Sequence, residues 1–236
     1  TVYYERKLPR NHPTDDRLHY VNLHDFKDFL HFERMMKDSD PLFHGTLNGK
    51  QPKETVYNFR YDANRFFRKV FAITHYAQSQ YAQFFAWLDA DVIVHSDVPE
   101  NYLQTLLPEE SFVAFLNRPS LYTETGFLLF DIYHDKATEF FDMYWNLYAT
   151  GAFKYLGEYH DCYVFDFVRT LLEVPEHALN AKETDHPFIN SDLGKYMDHM
   201  KGPERKQAGR SDPSELKVKH DAPHWDIPVE AEAQTA

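Results

Sequence analysis

Residues 84–99 read FFAWLDADVIVHSDVP. Phe84 to Leu88 form an apolar run without alternation, the pattern of a strand buried on both faces. Asp89 ends the run, Ala90 separates it from Asp91, and Val92 to Val94 resume the apolar pattern. Asp-Ala-Asp also suits a plain polar turn. Set between two apolar segments, however, it puts both carboxylates just past the carboxyl end of a buried strand, where open α/β sheets bind ligands. Two carboxylates one residue apart can reach a single hard cation. Mn2+ or Mg2+ fits, because oxygen ligands suit both and leave positions for phosphate oxygens.

Upstream of this stretch, Ala63, Phe66, Phe67, Val70, Phe71 and Thr74 recur at helical spacing, with Asp62, Arg65 and Lys69 on the opposite stripe. Arg65 and Lys69 are four residues apart and share a helical face. Downstream, Phe112–Leu116 and Gly126–Asp131 read as two more buried strands. Helices follow at Ala137–Tyr148, with Gly151 near the end, and at about Cys162–Leu172. Towards the N-terminus, Thr1–Glu5 and Leu18–Val21 read as short strands and Phe26–Lys37 as a helix. An irregular loop broken by Pro41, Gly45, Gly49 and Pro52 comes next. Strands alternating with helices predict an α/β fold, a mostly parallel sheet flanked by helices. The expected division is one domain over 1–211 and a partly disordered tail over 212–236.

The chain has 236 residues with 20 Phe and 16 Tyr, enough apolar material to exclude wholesale disorder. Lys plus Arg number 25 against 37 Asp plus Glu, a net charge of −12, which argues against general nucleic-acid or membrane-surface binding. The single cysteine, Cys162, excludes an internal disulfide and points to a reducing, cytoplasmic setting. No apolar run approaches the ~20 residues of a membrane helix. His95, Asp97, His160, His186, His220 and His224 match no tight zinc-ligand spacing.

Against this acidic background, HMKGPERKQAGRS (199–211) concentrates Lys201, Arg205, Lys206 and Arg210 behind His199. Gly202 permits close backbone approach to an anion, and Lys and Arg neutralise phosphate oxygens. His199 offers an imidazole as a third metal ligand. Alone, the segment reads as a solvated basic loop; joined with Asp89 and Asp91, it reads as one side of a diphosphate clamp.

In order, YDANRFFRKVFAI (61–73), FFAWLDADVIVHSDVP, YTETGFLLFD (122–131), EYHDCYVFD (158–166) and HMKGPERK (199–206) resemble the GT-A nucleotide-sugar glycosyltransferases. The glycogenin-like and lipopolysaccharide galactosyltransferase-like enzymes, and their bacterial or phage relatives, are the nearest. The resemblance implies transfer of a sugar from a nucleoside-diphosphate donor, UDP-linked in the main, to a glycan, lipid-linked or protein hydroxyl, with Mn2+ or Mg2+ as cofactor. It implies that Asp89, Asp91 and His199 hold the metal. Lys201 and Gly202, extended by Arg205 and Lys206, would contact the diphosphate. Asp62, Arg65, Lys69, Thr125 and Gly126 would meet the donor sugar. Asp161 would lie by the reacting carbon, with His160, Glu158 and Glu124 as further candidates for the catalytic group. Asp161 also reads as a helix cap.

The family opens with a strand–loop–helix unit that grips the base, whereas Thr1–Glu5 looks like its second strand. Either the first strand is absent from this chain or the base is held differently. Three rival readings remain open: an aspartyl-nucleophile phosphohydrolase of the haloacid-dehalogenase type, a non-catalytic nucleotide-sugar-binding module, and a nucleotidyltransferase. The first wants a small polar step after the acidic pair, where this chain has Val92 and Ile93; the last wants a Gly-rich N-terminal loop, which these residues lack.

Overall fold

The computed structural model describes residues 1–49, 54–79, 82–118, 120–180 and 184–226. In chain order these form β1 (Val2–Tyr4), β2 (Tyr20–Asn22), α1 (Lys27–Lys37), β3 (Thr46–Asn48), β4 (Thr55–Tyr57), α2 (Ala63–Ser79), β5 (Phe84–Leu88) and β6 (Val92–Val94). There follow α3 (Tyr102–Thr105), β7 (Val113–Leu116), β8 (Glu124–Asp131), α4 (Ala137–Ala149), α5 (Asp161–Leu171), β9 (Glu176–Ala178), β10 (Met197–His199) and α6 (Pro203–Ala208). The class is α/β, and most strands and helices expected from periodicity fall within one or two residues of their predicted bounds; α2 runs on to Ser79, five residues past the stripe that ended at Thr74. By its internal contacts the chain divides into two compact units, Thr1–Tyr81 with Thr138–Val168, and Ala82–Ala137 with Arg169–Ala236.

The first unit is built on aromatic helix packing. α1 buries Phe29, Phe32 and Met36, and α2 buries Phe67, Val70 and Phe71, the i, i+3, i+4, i+7 stripes visible in the sequence. Phe32 stacks on Phe67 with centroids 3.6 Å apart, and Phe140 of α4 meets Phe165 of α5 edge-on at 5.8 Å. β1 and β2 pair in parallel, and β3 and β4 form an antiparallel hairpin.

The second unit holds a four-stranded sheet in the order β5-β8-β7-β9. Here the mostly parallel expectation is corrected. β8 runs antiparallel to both β5 and β7, and only β7 and β9 are parallel. The link from β7 to β8 is too short for the crossover that a parallel pair needs, so the chain reverses directly. The apolar runs report burial rather than direction: every residue of β8, from Glu124 to Asp131, is buried. Tyr102, Leu106, Leu116, Phe127, Phe188 and Met197 belong to the apolar core beneath this sheet.

A separate two-stranded ladder pairs β6 antiparallel to β10, with Val92 opposite His199 and Val94 opposite Met197. It ties the segment after the acidic turn directly to the late basic segment.

Residues 212–226, expected as tail, pack instead. Asp212 closes a capping box with Glu215, the Trp225 indole donates to the Gly194 carbonyl at 2.8 Å, and His220 Nε2 contacts the Ile189 carbonyl. One buried tryptophan and several polar bonds anchor a stretch too hydrophilic to announce itself. The closing stretch 227–236, expected to be disordered, lies outside the described residues. No helix among the described residues is long and apolar enough to cross a membrane.

Candidate metal centre

The acidic turn is fixed from both sides by backbone bonds. Asp89 N–H donates to the Gly126 carbonyl at 3.0 Å, Val92 N–H to the Asp89 carbonyl at 3.0 Å, and Met200 N–H to the Asp91 carbonyl at 2.8 Å. β5, β8 and β10 therefore jointly set where the two carboxylates stand. Trp87, two residues before Asp89 and on the same strand face, donates its indole N–H to Asp89 Oδ1 at 2.7 Å. The other oxygen, Oδ2, lies 4.0 Å from His199 Nε2. His199 Nε2 is also 3.2 Å from Asp91 Oδ1. Ligand atoms of Asp89, Asp91 and His199 all fall within 4.8 Å of one another. The imidazole is buried at 3% side-chain exposure, while the carboxylates of Asp89 and Asp91 keep 27% and 29%. The histidine thus forms a rigid floor and the acids face solvent.

Gly126 makes that floor possible. A Cβ on it would lie 2.6 Å from His199 Cε1 and 2.7 Å from Nδ1, so only a residue without a side chain lets the ring lie against β8. His199 Nδ1 is buried without a hydrogen bond, and Glu124 Oε1 stands 3.8 Å away. Glu124 Oε2 meets Lys201 Nζ at 2.8 Å and Arg118 Nη1 at 3.3 Å. Burial alone would raise the Glu124 pKa, but Lys201, Arg118 and His199 hold it down at about 2. A carboxyl this acidic is a poor proton acceptor near neutrality, which disfavours Glu124 as a base and suits it to orienting its neighbours. Thr125, between Glu124 and Gly126 in sequence, is buried at 1% exposure.

Two of the late cations reach this cluster, Lys206 at Asp91 and Lys201 at Glu124. Hydrogen bonds from His199 and Lys206 hold the Asp91 carboxyl well below the usual carboxylate range, with Lys206 Nζ 2.8 Å from Asp91 Oδ2. Gly202, at φ +89°, turns the chain after Lys201 into α6. Arg205 bonds to the Glu215 carboxylate and donates to the Lys201 carbonyl at 3.0 Å. Lys201, Gly202, Arg205, Arg210, Asp212 and Glu215 line part of a cavity of about 570 Å3.

The remaining candidates lie in the first unit. Asp62 accepts from the Arg65 N–H at 2.9 Å and from the Tyr57 hydroxyl at 2.9 Å, which makes it the cap of α2. Lys69 Nζ is 2.9 Å from Asp161 Oδ2, a pair with side chains only 12% and 3% exposed. His160 Nε2 contacts Glu158 Oε2 at 3.0 Å, and burial pushes the His160 pKa down. Two other acid–base groups have metal-like spacing among the described residues: His160, Asp161 and Cys162, and Glu5, His24 and Glu33. Both already hold a protein cation, Lys69 on Asp161 and Arg68 on Glu5 and Glu33.

Sequence reasoning passed over Trp87 and Arg118. Trp87 was legible in principle, since a strand places residues two apart on one face. Arg118 carries no such signal, because its partner Glu124 lies across a loop.

No protein-family model matches this sequence, and no curated protein does. Among solved structures, the crystal structure of a glycosyltransferase involved in the glycosylation of the major capsid of PBCV-1 aligns with a TM-score of 0.42 and 19% identity, over 67% of this chain and 81% of that one. A likeness at that level is too slight to transfer a role.

Proposed function

We propose that the chain is a divalent-metal-dependent glycosyltransferase that moves a sugar from a nucleoside-diphosphate sugar, UDP-linked in the main, to a hydroxyl acceptor. The observation that supports this reading is the convergence of Asp89, Asp91 and His199 on one point, with Lys206 paired to Asp91 and Lys201 to the neighbouring Glu124. Two carboxylates and one imidazole suit Mn2+, or Mg2+ less well, and three protein ligands leave positions for phosphate oxygens. The donor set fits in one further respect. A metal takes the lone pair of Nε2, which puts the ring proton on Nδ1, the nitrogen that faces Glu124 at 3.8 Å.

When bound, the cation supplies positive charge where the departing diphosphate becomes more negative. Lys201 and Arg205 add charge to the same end of the substrate. Glu124 keeps Lys201 and His199 in place. The roles that the resemblance gives Asp62, Arg65, Lys69, His160 and Asp161 in the first unit belong to this proposal too. The test is product analysis with UDP-sugars and Mn2+. Sugar released or transferred together with UDP supports the reading; inorganic phosphate as the product supports a phosphohydrolase and overturns it.

A further inference from the structure

We propose that Lys206 is a placeholder cation: its ammonium group holds Asp91 until a divalent ion displaces it, so that metal loading exchanges one cation for another. This rests on the metal-centre reading above. Both oxygens of Asp91 have partners, His199 Nε2 at 3.2 Å on Oδ1 and Lys206 Nζ at 2.8 Å on Oδ2. The acidic turn is therefore already partly neutralised, and a metal must compete for it.

The arm that carries Lys206 suits an exchange. Gly202, at φ +89°, starts it in a backbone conformation that side chains resist, and Pro203 stiffens the first turn of α6. Arg205 fixes the arm through Glu215 and the Lys201 carbonyl. Only the flexible stem of Lys206 has to move. Its side chain is 55% exposed, so the displaced ammonium stays hydrated after release. The two other acidic groups differ on this point. Arg68 bonds to both Glu5 and Glu33 from a side chain 29% exposed, and Lys69 is 12% exposed against Asp161. A forked guanidinium and a buried ammonium give way far less readily than a hydrated lysine head. Once released, Lys206 stands beside the cation with its charge unspent, so metal binding frees a group for diphosphate.

The test measures Mn2+ affinity by calorimetry on the full chain for wild type, K206M, K206Q and D91N, with melting temperatures to confirm folding. In parallel, the rate at which an amine reagent labels Lys206 is followed by mass spectrometry with and without Mn2+. Lys195, paired with Asp192 on the surface, is the control. Expected are Mn2+ binding about three- to tenfold tighter in K206M and K206Q than in wild type, and severalfold faster labelling of Lys206, but not Lys195, when Mn2+ is added. If either lysine variant binds Mn2+ no tighter than wild type, or Lys206 labelling ignores Mn2+, the exchange is wrong while the metal centre survives. If wild type binds no Mn2+, or D91N binds it as wild type does, the metal centre itself fails and the exchange falls with it.

Discussion

The two faces of β10 carry opposite kinds of polar cluster. On one, His199 meets Asp89 and Asp91, carboxylates that keep 27% and 29% of their side-chain exposure. On the other, Asp198 is fully buried and saturated. It accepts from Ser211 N–H and from the Ser211 hydroxyl, both at 2.7 Å, and meets His224 Nε2 at 3.1 Å. Burial holds His186 neutral, with a pKa of about 4; because the Ser211 hydroxyl gives its hydrogen to Asp198, His186 Nε2 is the donor in its 2.9 Å bond to that hydroxyl. Adjacent residues thus divide between a part-exposed acidic cluster, the proposed exchange site, and a buried clamp on the C-terminal segment.

The sharpest break in this comparison comes from matched substitutions. D91N should weaken Mn2+ binding by two orders of magnitude or more, at a smaller stability cost than D198N because the Asp91 carboxylate is part-exposed and its ion pairs are screened by solvent. D198N should lower stability by about 3 kcal/mol, several degrees of melting temperature in a chain of this size, because it leaves the clamp's partners buried and unsatisfied. Calorimetry and thermal melts on both variants check the pair, and equal behaviour would erase the distinction.

Gly126→Ala sharpens the same contrast from beneath. The new methyl group would push the His199 ring off β8, so Mn2+ affinity should fall about tenfold with a stability cost of about 1–3 kcal/mol.

Glu124 gives a pH signature. Its folded pKa of about 2 lies below the ordinary 4.5, so its stabilising contribution is complete above pH 4.5 and is lost as pH falls towards 2. E124Q should be about 2–3 kcal/mol less stable than wild type at neutral pH, and denaturant melts of the two should converge as pH drops through that window. A gap that persists at pH 2 would contradict the ion-pair account.

The smallest effect belongs to Trp87→Phe. It removes the indole N–H from Asp89 Oδ1, and Mn2+ affinity should drop about two- to fivefold with little change in stability.

Much of this was legible in the sequence because it rests on side-chain periodicity. β5 shows in FFAWL, and α2, α4 and α5 show in their aromatic stripes. Strand direction was not, since a run buried on both faces looks alike in parallel and antiparallel sheets, as β8 demonstrates. The packing of 212–226 was hidden because its anchors, His220 and His224 against Ile189 and Asp198, are polar and distant in sequence. The Asp-x-Asp turn was visible by itself. His199 became a candidate through its cationic neighbourhood and the family resemblance, and the pairing of β6 with β10 then supplied the geometry.

On the proposed function, Asp89, Asp91 and His199 bind a divalent cation that in turn gathers a nucleoside diphosphate. Calorimetric titration of UDP into the full chain, with and without Mn2+, tests it most directly when repeated on D91N. Tight binding by wild type is expected only when Mn2+ is present, and none by D91N in either condition. UDP affinity that is the same with and without Mn2+, or that survives in D91N, would contradict it.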